Sequence, residues 1–413
     1  VSDAASAVHA TRAFGASTRR RLDVVVAANF LAIGVLLAAV PRYVREELGG
    51  SSAAVGTATT IFFAAALLTR PVVGRAMDRI GRRPFLTWPL VAMAVLALTM
   101  EAAHAVWAVV LVRLLQGAFG STFYTACAVM STDLAPPEQR AAAVARLSLM
   151  IYLGFAFGPF LGEFLFDRGS QWPWLACVAL HAFAGALAWG LPETRRGAPG
   201  RAEARPSMAS LRRVVLRPGV AQLCAGLGYA CVVAFLPSYA REVGLGSSGA
   251  LFFTYACSAL VVRVFSGRLA DRFGYVAVAV PGLVVFGLGL LLMAVAWAAW
   301  VPFPAIAMTG IGFGAVFPAL TALAVDRAPD AQRGQVLGVF LSFNDLGNAI
   351  AGPVVGAVAD AAGFRWGYGV PAVVAGIGVA VALGLRRPEP PRPRLTPHPE
   401  RCSFSCPPSG WGK

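Results

Sequence analysis

Apolar residues in this chain come in runs of about twenty, long enough as α-helix to cross a hydrocarbon core of about 30 Å. Short polar, charged or Gly/Pro clusters separate them. The pattern predicts helices over 22–41, 56–74, 84–102, 106–132, 141–164 and 172–191, then over 218–238, 248–266, 276–298, 301–325, 336–357 and 366–385. The runs are continuous, whereas barrel strands alternate and are about ten residues long. The expected fold class is an all-α membrane protein, with twelve transmembrane helices in two pseudo-symmetric six-helix bundles, 22–191 and 218–385. Residues 1–21 form an N-terminal segment, 192–217 a polar linker, and 386–413 a proline-rich tail without helical periodicity, read as disordered. No cleavable signal peptide is evident, and the first run reads as a transmembrane helix.

Composition agrees: of 413 residues 57% are hydrophobic and 13% charged, about half the charged share of a soluble domain. The net charge of +15 does not point to nucleic acid, because the basic residues cluster between apolar runs and line no amphipathic face. With the N-terminus inside, 27 cations fall on the cytoplasmic side, five outside, and Arg70, Arg113 and Arg263 within spans. The positive-inside rule then puts both termini in the cytoplasm of a multi-pass protein of the cell (inner or plasma) membrane. Five cysteines lie in apolar spans, where small apolar packing is their usual role. No clustered metal ligands or cofactor motif stand out.

The chain repeats itself. GRAMDRIGRR at 74–83 returns as GRLADRFGY at 267–275, and the offset of 193 also pairs Arg70 with Arg263, Asp133 with Asp326 and Arg140 with Arg333. After a one-residue slip, Gly158, Pro159 and Gly162 align with Gly352, Pro353 and Gly356. Six helices is an even number, so the copies share one orientation. Such parallel halves, related by an axis along the membrane normal, can rock about a central site.

Gly74, Asp78, Arg79, Gly81, Arg82 and Arg83 resemble the signature loop of the major facilitator superfamily, and the likeness extends over about 22–385. Glycines there permit a tight turn and close helix approach. The resemblance implies that Asp78 and Arg82 join Asp133 in a charge network that stabilises the outward-facing state. The second copy keeps Gly267, Asp271, Arg272 and Asp326 but has Tyr275 where Arg82 stands, so its latch is expected to be weaker.

Helix 4 carries Arg113, Gln116 and Gly117, which resemble the motif of proton-linked members. An arginine within a span costs about 2.5–3.5 kcal/mol on insertion scales. At roughly 10 Å depth Arg113 could snorkel outward or serve the transport pathway, and the second half has Ile306 at that place. Helix 5 carries Gly154, Gly158, Pro159 and Gly162, a smooth face for a close neighbour with a helix-bending proline. It reads as a hinge and is similar to the pattern of drug:proton antiporters. Acids within spans are functional candidates: Asp345, with Asn344 and Asn348 beside it, and Glu163; Arg113 is expected to pair with Glu163 or with substrate, protonation breaking the pair. Asn29 and Tyr124, Tyr152, Tyr229 and Tyr255 are candidates for a central cavity. Helix 1 has no mid-span acid, which disfavours a cationic drug.

The expected function is secondary active transport, proton-coupled efflux of a small organic solute by a monomer that works by alternating access with no cofactor. Proton symport or facilitated uptake of a small metabolite such as a sugar is the alternative. A membrane enzyme would need converging catalytic groups, yet His9, His104, His181 and His398 are scattered. A sensor without transport would be expected to carry a soluble output domain.

Overall fold

The computed structural model describes residues 2–136, 139–194, 208–328 and 333–385, without the side chains of 2–16, 208–213 and a few helix positions that include Asp78, Arg140, Asp271 and Arg333. The expected disordered tail, most of the expected linker, and the Asp78 and Asp271 carboxylates thus lie outside the described groups. The first half is α1 (Ser2–Arg42), α2 (Ser52–Ile80), α3 (Pro84–Thr99), α4 (Val106–Asp133), α5 (Arg140–Phe166) and α6 (Gln171–Trp189), with a π-helical turn, Tyr43–Glu47, after α1. The second is α7 (Met208–Glu242), α8 (Gly249–Phe273), α9 (Tyr275–Ala294), α10 (Pro302–Asp326), α11 (Arg333–Ala362) and α12 (Phe364–Leu383). Among the described residues there is no strand.

Several helices outrun their apolar stretch. The expected loop at 74–83 is helical to Ile80, and its counterpart is helical to Phe273. Neither stretch contains proline, and helix-forming residues carry the backbone on once it leaves hydrocarbon. Only Gly81 (φ 115°) and Gly274 (φ 90°) stop the helices, in a conformation closed to most L-residues. The first helix likewise starts at Ser2, upstream of its apolar run.

Among the described residues, ten helices are long and apolar enough to cross a membrane. Of the others, α3 is shorter, at 16 residues, and α11 carries the polar cluster around Asp345. We call the end of the bundle bearing the α2–α3 and α8–α9 turns proximal, and the opposite end distal. Exposed tryptophans mark both: Trp107, Trp172, Trp300 and Trp366 distally, Trp88 and Trp189 proximally. That is where amphipathic rings settle at a membrane interface.

Within each half, small residues let backbones touch. A Cβ on Gly154, Gly158 or Gly162 would lie 2.4 Å from Phe30, 2.5 Å from Gly34 and 2.5 Å from Val35, so the close neighbour of the α5 glycine face is α1. Gly347 meets Leu223 of α7 in the same manner, at 2.2 Å, and both residues of that contact lie 193 beyond Gly154 and Phe30.

The halves touch one another unevenly. Distally, Gly56 of α2 and Gly352 of α11 stand backbone to backbone, a Cβ on Gly352 falling 2.1 Å from the Gly56 carbonyl oxygen. The Asp360 carboxylate accepts hydrogen bonds from the Ser52 and Ala53 N–H groups at 2.7 and 2.8 Å, so α11 caps the start of α2. Proximally, a Cβ on Gly74, Gly267 or Gly338 would meet no heavy atom of the described residues within 4 Å. The close approach expected at Gly74 is therefore absent in this state: the halves are shut at the distal end, and α2, α8 and α11 have open space at the proximal end.

Gly352→Leu drives a side chain into the Gly56 backbone and should prise the distal ends apart. Nitroxide labels at Arg45 and Arg365, both exposed distal sites, should report a longer distance by electron–electron spectroscopy than in the otherwise native protein. An unaltered distance would show that the glycine contact does not set distal closure.

Candidate functional site

A cavity of about 230 Å³ lies between the halves. The described side chains around it are mostly aromatic and aliphatic, and its charged lining groups are Arg70, Arg113, Arg263 and Asp345. Tyr124, Tyr152, Tyr229 and Tyr255 all face it, and the Tyr229 and Phe313 rings stack with centroids 4.8 Å apart.

Asp345 is at the centre of the polar chemistry. Its Oδ2 lies 2.9 Å from Nε of Arg70, with the side chains 4% and 21% exposed. The N–H is not aligned for a hydrogen bond, so charge alone couples the two. Since Arg70 belongs to α2 and Asp345 to α11, the pair joins the halves at the cavity wall. Asn344 lines the cavity too, and its Oδ1 accepts from Nε2 of Gln222 at 2.9 Å. Arg263, half-buried on α8, places its guanidinium 4.0 Å from the Tyr152 ring centroid.

Arg113 is buried, 2% exposed, and does not snorkel. Gly117 makes this possible: a Cβ there would stand 2.2 Å from the Phe62 carbonyl oxygen, so α2 and α4 touch. One turn away, Arg113 donates from Nη1 to Oε1 of Gln116 at 2.9 Å, and from Nε and Nη2 to the carbonyls of Ala58 and Thr59 at 3.4 and 3.5 Å. Its ring partner is Phe62, 5.1 Å away. Gln116 itself does not line the cavity; it orients Arg113.

The expected pairing of Arg113 with Glu163 is corrected by the structure. Glu163 sits at the distal end of α5, away from the cavity, where Oε2 accepts from Nη1 of Arg42 at 2.8 Å and Oε1 accepts from the Ser248 hydroxyl of the other half. Arg42 also binds Asp167 at 2.7 Å and Glu46 at 3.0 Å, and Glu46 in turn pairs with Arg241 of the second half. Glu163 thus belongs to a charge network that ties the distal ends. Asn29 is likewise displaced from its expected place: the cavity face of α1 is Phe30, Ile33 and Leu37. Asn29, on the flank of that face, is buried with no hydrogen-bond partner for its amide among the described residues.

At the proximal end, Nε of Arg82 lies 3.4 Å from Oδ2 of Asp133, which also accepts from the Thr194 hydroxyl at 3.0 Å. The Arg82 and Arg83 N–H groups donate to Glu193 at 2.9 and 3.0 Å. These contacts stay within the first half. In the second half, Arg272 is exposed, its guanidinium 5.2 Å from the Phe273 ring centroid, and Asp326 ends α10.

Sequence reading singled out Asp345 but passed over Arg70 and Arg263 as site residues. The signal was present: each is a cation within an apolar run, at equivalent places in the repeat. Arg42 and Asp360 carried no such mark, because charged residues at span ends are ordinary.

A family profile, that of the Major Facilitator Superfamily, matches residues 22–246 and 218–412. An MFS-type transporter of Salmonella typhimurium is 32% identical over 378 residues, 89% of this chain and 96% of its own length. Another, of Pseudomonas aeruginosa, is 30% identical over 373 residues, 88% and 92% of the two chains. Among solved structures, the nucleoside transporter NupG superposes with a TM-score of 0.75 over 90% of this chain and 100% of its own, at 14% identity. That likeness is one of fold.

Two substitutions probe the site. Gln116→Leu removes an acceptor from a buried cation and should cost about 1.5–3 kcal/mol, read as a lower midpoint of thermal unfolding in detergent. Glu163→Gln should lengthen the distal Arg45–Arg365 label distance by weakening the Arg42 and Ser248 contacts, while solute-driven proton movement persists. Loss of that movement with an unchanged distance would return Glu163 to the proton pathway.

Proposed function

The chain belongs to the Major Facilitator Superfamily, and on that premise we propose that this multi-pass membrane transporter couples movement of a small organic solute to protons by alternating access. Asp345 is the proton carrier and Arg70 its counter-ion. The observation that carries this is the Arg70–Asp345 pair, which is at once in the cavity and across the interface between halves. Protonating Asp345 cancels the attraction between α2 and α11, so the occupancy of one carboxyl group biases how the halves sit. A proton crossing 100 mV supplies about 2.3 kcal/mol, enough to shift a two-state equilibrium nearly fiftyfold by the relation of about 1.4 kcal/mol per factor of ten.

With both termini in the cytoplasm of the cell membrane, the distal face is external and the observed arrangement is the inward-facing state. Arg82 and Asp133, with Asp78, Arg79, Gly74 and their second-half counterparts, then act at the cytoplasmic gate, and the glycine face of α5 with Pro159 is the surface on which α1 moves.

Efflux in exchange for protons is the first reading, supported by the α5 pattern of Gly154, Gly158, Pro159 and Gly162. Symport is the second, and a separate observation favours it: apart from Asp345 the charged cavity groups are cationic, so an anionic solute would bind better once Asp345 is protonated. Either reading makes Asp345 indispensable for coupling.

In proteoliposomes loaded with a solute library, an imposed pH gradient should drive solute movement by the native protein. Asp345→Asn should retain solute counterflow but lose gradient-driven accumulation. Full accumulation by Asp345→Asn would remove that residue from the proton path, and no solute-dependent proton flux in the native protein would overturn proton coupling. The sign of the gradient that drives accumulation separates exchange from symport.

A further inference from the structure

The repeat relates the two intramembrane arginines of the cavity, Arg70 and Arg263, through the offset of 193. The same offset relates their partners. Gly154 and Gly347 make equivalent contacts to Phe30 and Leu223, which fixes the register of α5 on α11 at this depth and makes Tyr152 the equivalent of Asp345. The structure contains both pairs: Arg70 meets Asp345 at 2.9 Å, and Arg263 lies over the Tyr152 ring at 4.0 Å. Each arginine is met by the opposite half, Arg70 by a counter-charge on α11 and Arg263 by an aromatic face on α5.

An aromatic face holds a guanidinium without neutralising it. Among the described residues no carboxylate comes within ion-pair distance of Arg263, and no side chain or backbone group accepts from it. The guanidinium carbon lies 4.0 Å from the Tyr152 ring centroid and 5.6 Å from that of Phe317, and a guanidinium held by rings retains a fork of N–H donors that matches a planar anion in bidentate fashion. Arg113 adds a second cation without a carboxylate, satisfied by an amide and backbone carbonyls. With Asp345 offsetting Arg70, the cavity carries an excess of positive charge. In surroundings of low dielectric that excess is costly unless something anionic arrives. The cavity that Arg263 lines is also lined by Tyr152, Tyr229, Tyr255 and Phe313, the last stacked on Tyr229.

We propose that Arg263 is the substrate anchor and that the solute is a small organic anion with one carboxylate-like group and a flat, preferably aromatic, body. The anionic group receives the Arg263 fork, and the body lies among Tyr229, Tyr255 and Phe313. This rests on the transport reading above and specifies its substrate class. Arg263 and Tyr152 belong to different halves, so an anion that draws the guanidinium edge toward itself bears on the α5–α8 contact just as the proton bears on α2–α11.

Equilibrium binding to the purified full chain in detergent tests this without requiring transport. The probes are benzoate, 3-phenylpropionate and 2-naphthoate, each with its neutral amide and its amine counterpart. In at least one triplet the acid should bind about tenfold tighter than the amide, a difference of about 1.4 kcal/mol, and the amine weaker still. Arg263→Gln should bring that acid to the level of its amide without altering amide affinity, and Arg263→Lys should recover part of the preference. No acid preference in any triplet, including no binding at all, would overturn the proposal, as would a preference that survives Arg263→Gln. If Arg263→Gln does not fold, the native comparison and Arg263→Lys still decide. Acid binding without counterflow would leave this inference standing and sink the transport reading; counterflow of amides or amines only would do the reverse.

Discussion

An arginine and an aspartate from different halves of the molecule meet in an apolar cavity wall at 2.9 Å. Each lowers the cost of several kcal/mol that the other charge would meet there without a counter-ion, and because they sit on α2 and α11 their attraction also holds two bundles together. The remaining cross-half contacts take their meaning from this one. The Gly56–Gly352 contact lets the two helices run close enough for the charges to meet, and the Asp360 cap at the start of α2 continues the same seam to the distal face.

The two seams between the halves are pseudo-equivalent but not alike. The α2–α11 seam is made of glycine backbone contact, an ion pair and a cap. The α5–α8 seam has Phe157 against Phe253 at 6.0 Å, Arg263 over Tyr152, and the Glu163 to Ser248 hydrogen bond. A seam of close backbone contact resists separation because any shift loses packing along its whole length. One built on rings and a stacked cation adjusts more readily. Departures from internal symmetry thus collect around the cavity, where the two halves must do different work, while the matching contacts of Gly154 and Gly347 lie where each half packs against itself.

The distal network shows how charges at the span ends are handled away from the cavity. Arg42 binds Glu163, Asp167 and Glu46 together, and Glu46 reaches Arg241 in the other half. Mutual compensation among several charges lowers the desolvation each would face alone, and it makes closure of this end depend on a set of contacts that open together. Proximally, the Arg82–Asp133 pair, the Thr194–Asp133 hydrogen bond and the bond from the Arg82 N–H to Glu193 lie inside a single half.

The fold was legible in the chain because hydrocarbon forces backbone polar groups to be satisfied within each helix, so every span announces itself as an apolar run. The repeat at 193 residues announced the halves for the same reason. Helix ends were less legible: Ile80 and Phe273 extend their helices past the apolar stretch because nothing in GRAMDRI or GRLADRF breaks them. Of the site, Asp345 stood out as an acid where acids are costly. Which cation answers it did not, since Arg70, Arg113 and Arg263 were all available and only packing chose Arg70. Similar depth along two helices suggests Glu163 as a partner for Arg113, but depth gives no azimuth, and the structure turns Glu163 toward Arg42 and Ser248. What the sequence by itself determined is the set of residues that hydrocarbon makes expensive; what the tertiary structure decided is how they are matched, because pairing depends on which helix faces meet across the interface between halves.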